Sequence, residues 1–170
     1  MKDRRSSQKG LTLIELLVAM TVGAMIAGAV VASMFQLFTV SDRNSDYAAA
    51  FTQVQNAGYW VSHDAVQITE EPTVINPAPS QFVSLTLDWV DWEGDAHQVV
   101  YTLEGSGQLK RSYSINGDPP ETIVIAQYID PSPANTNCNW DGNVLTLEIT
   151  AQVGDQTVSR TYKVEPRPLS

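Results

Sequence analysis

The sequence predicts an α+β chain, in which one long N-terminal helix packs against an antiparallel β-sheet head. Three observations predict it. An apolar run extends from Leu11 to Val40; apolar residues then recur at helical spacing from Val40 to Ile68; and from Thr73 onwards short alternating segments are separated by Gly, Pro, Asn and Asp. The expected divisions are a basic leader at 1–10, a membrane or assembly helix at 11–40, an amphipathic helix half at 41–72 and a β-rich head at 73–170.

The apolar run is broken mainly by Thr12, Glu15, Thr21, Ser33 and Gln36 and exceeds the roughly 20 residues that cross a bilayer as a helix. Lys2, Arg4, Arg5 and Lys9 all precede it, which leaves the N-terminus cytoplasmic and the remainder across the membrane. Glu15 is costly there. A carboxylate at the centre of a membrane helix costs about 2.5–3.5 kcal/mol on insertion scales, so it asks for a partner.

A cleaved secretory signal would use the small-x-small pattern Ala27-Gly28-Ala29, yet the apolar character continues through Val30, Val31, Met34, Phe35, Leu37 and Phe38. A plain signal anchor explains the length and the basic flank but not Glu15. A third reading accounts for all of these features. Lys9-Gly10-Leu11-Thr12-Leu13-Ile14-Glu15 closely resembles the type IV prepilin signal, in which a membrane peptidase cuts after the glycine. The resemblance implies cleavage between Gly10 and Leu11, N-methylation of Leu11 as the mature N-terminus, and an assembly role for Glu15, fifth in the mature chain. A glycine at the cut lets a protease approach the backbone closely. Gly23 and Gly28 would permit close helix approach or local unwinding.

Beyond Ser41 the helix becomes striped. Val40, Tyr47, Phe51, Val54, Gly58, Val61, Ala65 and Ile68 form a face to be covered; Asp42, Asn44, Asp46, Gln53, Asn56 and His63 suit solvent. Ser41-Asp42 could mark a bend, and Glu70-Glu71-Pro72 ends the helix, because proline has no amide donor. Strands are expected at 82–89, 97–103, 108–114, 122–129, 144–153 and 157–164. Turns are expected at Asp91–Asp95, Glu104–Gly107, Asn116–Pro120 and Gly154-Asp155, and a loop at 130–140. Trp60–Val66, Val99–Leu103 and Gln108–Arg111 are similar to the helix end and strand-turn-strand of W-type minor pilins and J-type minor pseudopilins.

Removing Met1–Gly10, with its four basic residues and one acidic residue, moves the formal charge from −9 to −12. So acidic a body repels phosphate backbones, and direct nucleic-acid binding is not expected. Lys110-Arg111 is the one local basic pair, and Cys138 is the single cysteine, which suits a buried small apolar residue.

No catalytic arrangement emerges. Gly105-Ser106-Gly107 lacks the spacing of a nucleophile elbow, and His63-Asp64, adjacent on a helix, are expected to face apart. Asp88, Asp91, Glu93 and Asp95 are the candidate calcium ligands, a solvated turn being the simpler reading; otherwise no cofactor is expected. Of Trp89 and Trp92 flanking that turn, the first is expected in the core. The expected product is a minor pilin or pseudopilin and not an enzyme. Its expected partners are other pilins, prepilin peptidase and an inner-membrane assembly platform, and its place is the membrane and then a surface or periplasmic filament. The rival is a signal-anchored extracytoplasmic ligand-binding domain that never polymerises.

Overall fold

Helix α1 runs from Leu13 to Ala65. In the computed structural model, residues 12–75 and 84–167 are described, so Gly10, Leu11, Phe82 and Pro168 lie outside the described residues. Two units are distinguished, Met1–Asp42 and Arg43–Ser170, and α1 contributes to both. The helix carries no interruption at Ser41-Asp42 and no unwinding at Gly23 or Gly28.

Pro72 does not set the end of α1. The helix closes at Ala65 with a tightened turn, Gln67 N donating to Asp64 O at 3.0 Å. Thr69 then joins the edge of the sheet: its N–H donates to Asp88 O and its hydroxyl accepts from Val90 N, each at 3.2 Å. The chain leaves the helix early because these backbone groups find sheet partners instead.

Five strands follow in one antiparallel sheet, ordered as in the chain: β1 (Thr73–Ile75), β2 (Ser84–Val90), β3 (Ala96–Leu103), β4 (Leu109–Ile115) and β5 (Glu121–Ala126). β2 places Leu85, Leu87 and Trp89 inward, and β3 does the same with Val99, Tyr101 and Leu103. This is the period of two that the alternation predicts. Each such aliphatic side chain contributes about 1.5–3 kcal/mol by leaving water.

A second, three-stranded sheet holds β6 (Asn137–Trp140), β7 (Leu145–Val153) and β8 (Gln156–Val164). The expected single sheet is therefore two. β6 falls in the expected loop at 130–140, where Pro131 and Pro133 mask a short strand that pairs Cys138 with Leu147. β5 stops at Ala126, short of the expected 129, and Ile129 instead makes an isolated bridge to Ala151. The β7–β8 turn is Gly154-Asp155 as expected, with Gly154 at φ +54° supplying the left-handed first turn residue.

Within the Arg43–Ser170 unit, Ala50, Val54, Ala57, Gly58, Val61, Asp64 and Ala65 of α1 are buried. The expected stripe is right at Val54, Gly58, Val61, Ala65 and Ile68, whereas Val40 and Tyr47 are exposed and Phe51 is half-buried. Gly58 is required: a Cβ there would sit 2.1 Å from the Tyr162 ring, whose hydroxyl donates to Val54 O at 3.2 Å. Gln53, assigned to the solvent side, accepts from Gln127 N at 2.8 Å and ties the end of β5 to the helix.

Candidate functional site

The N-terminal part of α1 is built to be covered by something other than its own chain. From Leu13 to Val40 its large apolar side chains are exposed, Leu13 at 82 % and Phe35 at 68 % among them. A helix apolar on every side belongs in lipid or among other helices. Its most apolar window has a mean hydropathy of 2.2, enough to cross a membrane. The hydroxyls in it are satisfied locally: Thr21 donates to Val18 O at 2.9 Å, Ser33 to Ala29 O at 2.9 Å and Thr39 to Phe35 O at 3.0 Å. None of the three therefore brings an unsatisfied donor into hydrocarbon.

At the head of this helix Thr12 and Glu15 form a capping box. Glu15 Oε2 accepts from Thr12 N and from Thr12 Oγ1, both at 2.9 Å, while Glu15 N donates to Thr12 Oγ1 at 3.4 Å. The Thr-x-x-Glu spacing satisfies orphan amides at the helix start and places the carboxylate against the positive end of the dipole. In the single chain, Glu15 thus already has a partner, three residues before it. The Thr-x-x-Glu spacing that supplies this partner is legible in the sequence.

The model of the prokaryotic N-terminal methylation motif matches residues 5–31. The signal is type IV pilin-like. It implies processing by prepilin peptidase and assembly with other pilins, and with the apolar helix it marks an N-terminally anchored membrane protein. Comparison with curated proteins and with solved structures gave no match.

In the head, the expected four-carboxylate cluster becomes three. The carboxylates of Asp91, Glu93 and Asp95 have oxygens within 4.8 Å of one another. Asp88 is not with them: it sits in β2 opposite Gln98, whose side-chain amide donates to it at 3.0 Å. Its strand position, not its charge, decides its neighbour. Asp91 organises the turn by accepting from Glu93 N at 2.9 Å and Asp95 N at 3.0 Å, and its other oxygen lies 3.1 Å from His97 Nε2. These bonds, that to His97 foremost, hold the Asp91 carboxyl below the usual range. Asp95 accepts from Asn116 Nδ2 at 2.9 Å. Asp91 and Asp95 are thus already engaged as hydrogen-bond acceptors within the head. Trp89 is buried and stacked on His97 at 5.2 Å, and Trp92 is 91 % exposed, as expected for the pair.

The feature that the sequence reading missed is a buried ion pair. Asp64, 1 % exposed, receives Arg111 Nε at 2.7 Å and Nη2 at 3.1 Å, and the Tyr101 hydroxyl donates to it as well. The register that sets Tyr101 opposite Arg111 delivers both groups to one carboxylate. Arg111 is itself sandwiched, with its guanidinium carbon 5.0 Å from the centroids of both Trp60 and Tyr113. His63 also reaches Asp64, Nδ1 to Oδ1 at 3.3 Å, which corrects the expectation that these neighbours face apart. Neighbouring residues on a helix are about 100° apart, which leaves two side chains of this length within reach of each other. Burial pushes the Tyr101 hydroxyl far above its ordinary pKa, with the Asp64 charge adding to the effect. The signal was available: Asp64 lies three residues after Val61 on the covered stripe, a charge there needs a counter-ion, and Lys110-Arg111 is the one basic pair after Gly10.

Proposed function

We propose that the chain is the precursor of a minor pilin or pseudopilin, a subunit of a type IV pilus-like or type II secretion filament. The observation that carries this reading is an apolar helical stretch, exposed from Leu13 to Val40, that begins with a capped Thr-x-x-Glu inside a methylation motif. Prepilin peptidase cuts between Gly10 and Leu11 on the cytoplasmic side, and Leu11 is methylated. The head lies across the membrane until the subunit leaves the bilayer for the filament. Its duty is packing and display, not catalysis. The resemblance of Trp60–Val66 and Gln108–Arg111 to W-type minor pilins and J-type minor pseudopilins supports an initiating or tip subunit over the main shaft protein.

Glu15 is the assembly contact. Cleavage creates a new amino group close to the membrane, and the carboxylate of a neighbouring subunit pairs with it where water is scarce and charges interact strongly. The capping box holds that carboxylate at the head of the helix before a partner arrives. Glu15→Val should leave cleavage intact but remove the subunit from sheared filaments, read by immunoblot of the filament and membrane fractions. Unchanged incorporation would overturn the assignment.

A further inference from the structure

We infer that Tyr128 is the platform of a binding site for a neutral, hexose-containing oligosaccharide. Tyr128 holds φ at +60°, a conformation in which the Cβ of a bulky residue crowds the backbone and which glycine or asparagine adopts at less cost. The surrounding structure fixes it there. Tyr128 O accepts from Gln152 N at 2.8 Å, Ile129 N donates to Gly107 O at 3.0 Å, and the preceding Gln127 N donates to Gln53 at 2.8 Å. Gly107, at φ +80°, packs closely against this turn, since a Cβ on it would lie 2.8 Å from Ile129 O. A tyrosine repays such strain when its ring fills a core, but Tyr128 is 56 % exposed. Neither backbone geometry nor packing accounts for an aromatic residue at this position, and strain kept in this way marks functional positions.

The ring lines an open cavity of about 390 Å³ together with Ser106, Pro131, Gln152 and three residues without side chains, Gly105, Gly107 and Gly154. The lining carries no basic residue, and its one acid is already occupied, Asp130 accepting from Ser132 N at 2.8 Å and from Asn135 Nδ2 at 2.7 Å. Nothing there pairs with an anion, and the Arg43–Ser170 unit, with six basic and sixteen acidic residues, repels one. What remains is an exposed tyrosine beside the Gln152 amide, which can donate and accept, and the Ser106 hydroxyl, which donates to Glu104 Oε2 at 3.5 Å and can accept from a ligand. A pyranose ring matches that set, with a C–H face for the tyrosine and hydroxyls for Ser106 and Gln152. The site is independent of the filament reading and would serve an anchored domain equally.

The test uses the full chain in a sugar-free detergent, titrated calorimetrically with maltohexaose, cellohexaose and chitohexaose, and with a heparin hexasaccharide as the anionic control. At least one neutral hexamer should bind and heparin should not. Tyr128→Trp should keep that affinity, and Tyr128→Asn should weaken it at least about tenfold, the equivalent of about 1.4 kcal/mol. Because asparagine accepts the left-handed backbone, Tyr128→Asn should also melt at a higher temperature than the native chain. Absence of binding by all three neutral probes, equal binding of heparin, or unchanged affinity in Tyr128→Asn would overturn the proposal. A Tyr128→Asn chain that unfolds or melts lower would equally overturn it, since tyrosine would then be there for the fold.

Discussion

Removing Arg111 is the sharpest perturbation of the head. Arg111→Ala would leave Asp64, 1 % exposed, facing only the Tyr101 hydroxyl and the edge of His63. Breaking a buried pair by deleting one partner costs about 3–5 kcal/mol, because the remaining charge is uncompensated. The loss of guanidinium stacking on Trp60 and Tyr113 adds about 0.5–1 kcal/mol for each ring. The Arg111 side chain keeps 12 % of its surface exposed, so water can reach the vacated space and the lower part of the first range applies. Together these give a net loss of about 4–6 kcal/mol, which lowers the melting temperature by roughly 15–25 °C for a unit of this size. The assay is thermal unfolding of the full chain in detergent followed by near-ultraviolet circular dichroism. The double variant Asp64→Leu/Arg111→Met, which removes both charges, should recover most of the loss. If Arg111→Ala melted within about 3 °C of the native chain, under 1 kcal/mol, the account of the pair as the joint between helix and sheet would be refuted.

Two further outcomes follow from the titrating groups. Burial pushes the Cys138 thiol up to about 12, so a disulfide reagent at pH 8 should leave the folded chain unmodified and react fully once urea unfolds it. The Asp91 carboxyl titrates below its ordinary value because of the bond to His97. A carboxyl lowered on folding stabilises above its unfolded pKa, about 3.9, and that stabilisation is lost as the pH falls through the folded value. The melting difference between the native chain and Asp91→Asn should therefore shrink as the pH falls below about 4.

The elements legible in the sequence were those with a strong period. The apolar run, the stripe through Val54, Gly58, Val61 and Ala65, and the strands around Leu85–Trp89 and Val99–Leu103 all declare themselves by alternation or helical spacing. β6 did not, because four residues rich in asparagine after two prolines have no pattern until Leu147 and its neighbours pair with them. Nor did the division into two sheets, which depends on which strands pair and not on any strand's composition. At the sites the same contrast holds. The Thr12–Glu15 box is local and was readable from spacing, whereas the Asp64–Arg111 pair joins residues 47 apart and needs the β3–β4 register to bring them together.

The central claim is that this chain is cut and methylated at its N-terminus before it assembles, and the mature N-terminus tests it most directly. Mass spectrometry of the protein recovered from membranes should find the chain beginning at N-methylated Leu11, with Met1–Gly10 removed. An intact chain, or one beginning at Val30 after a secretory cut, would contradict the account.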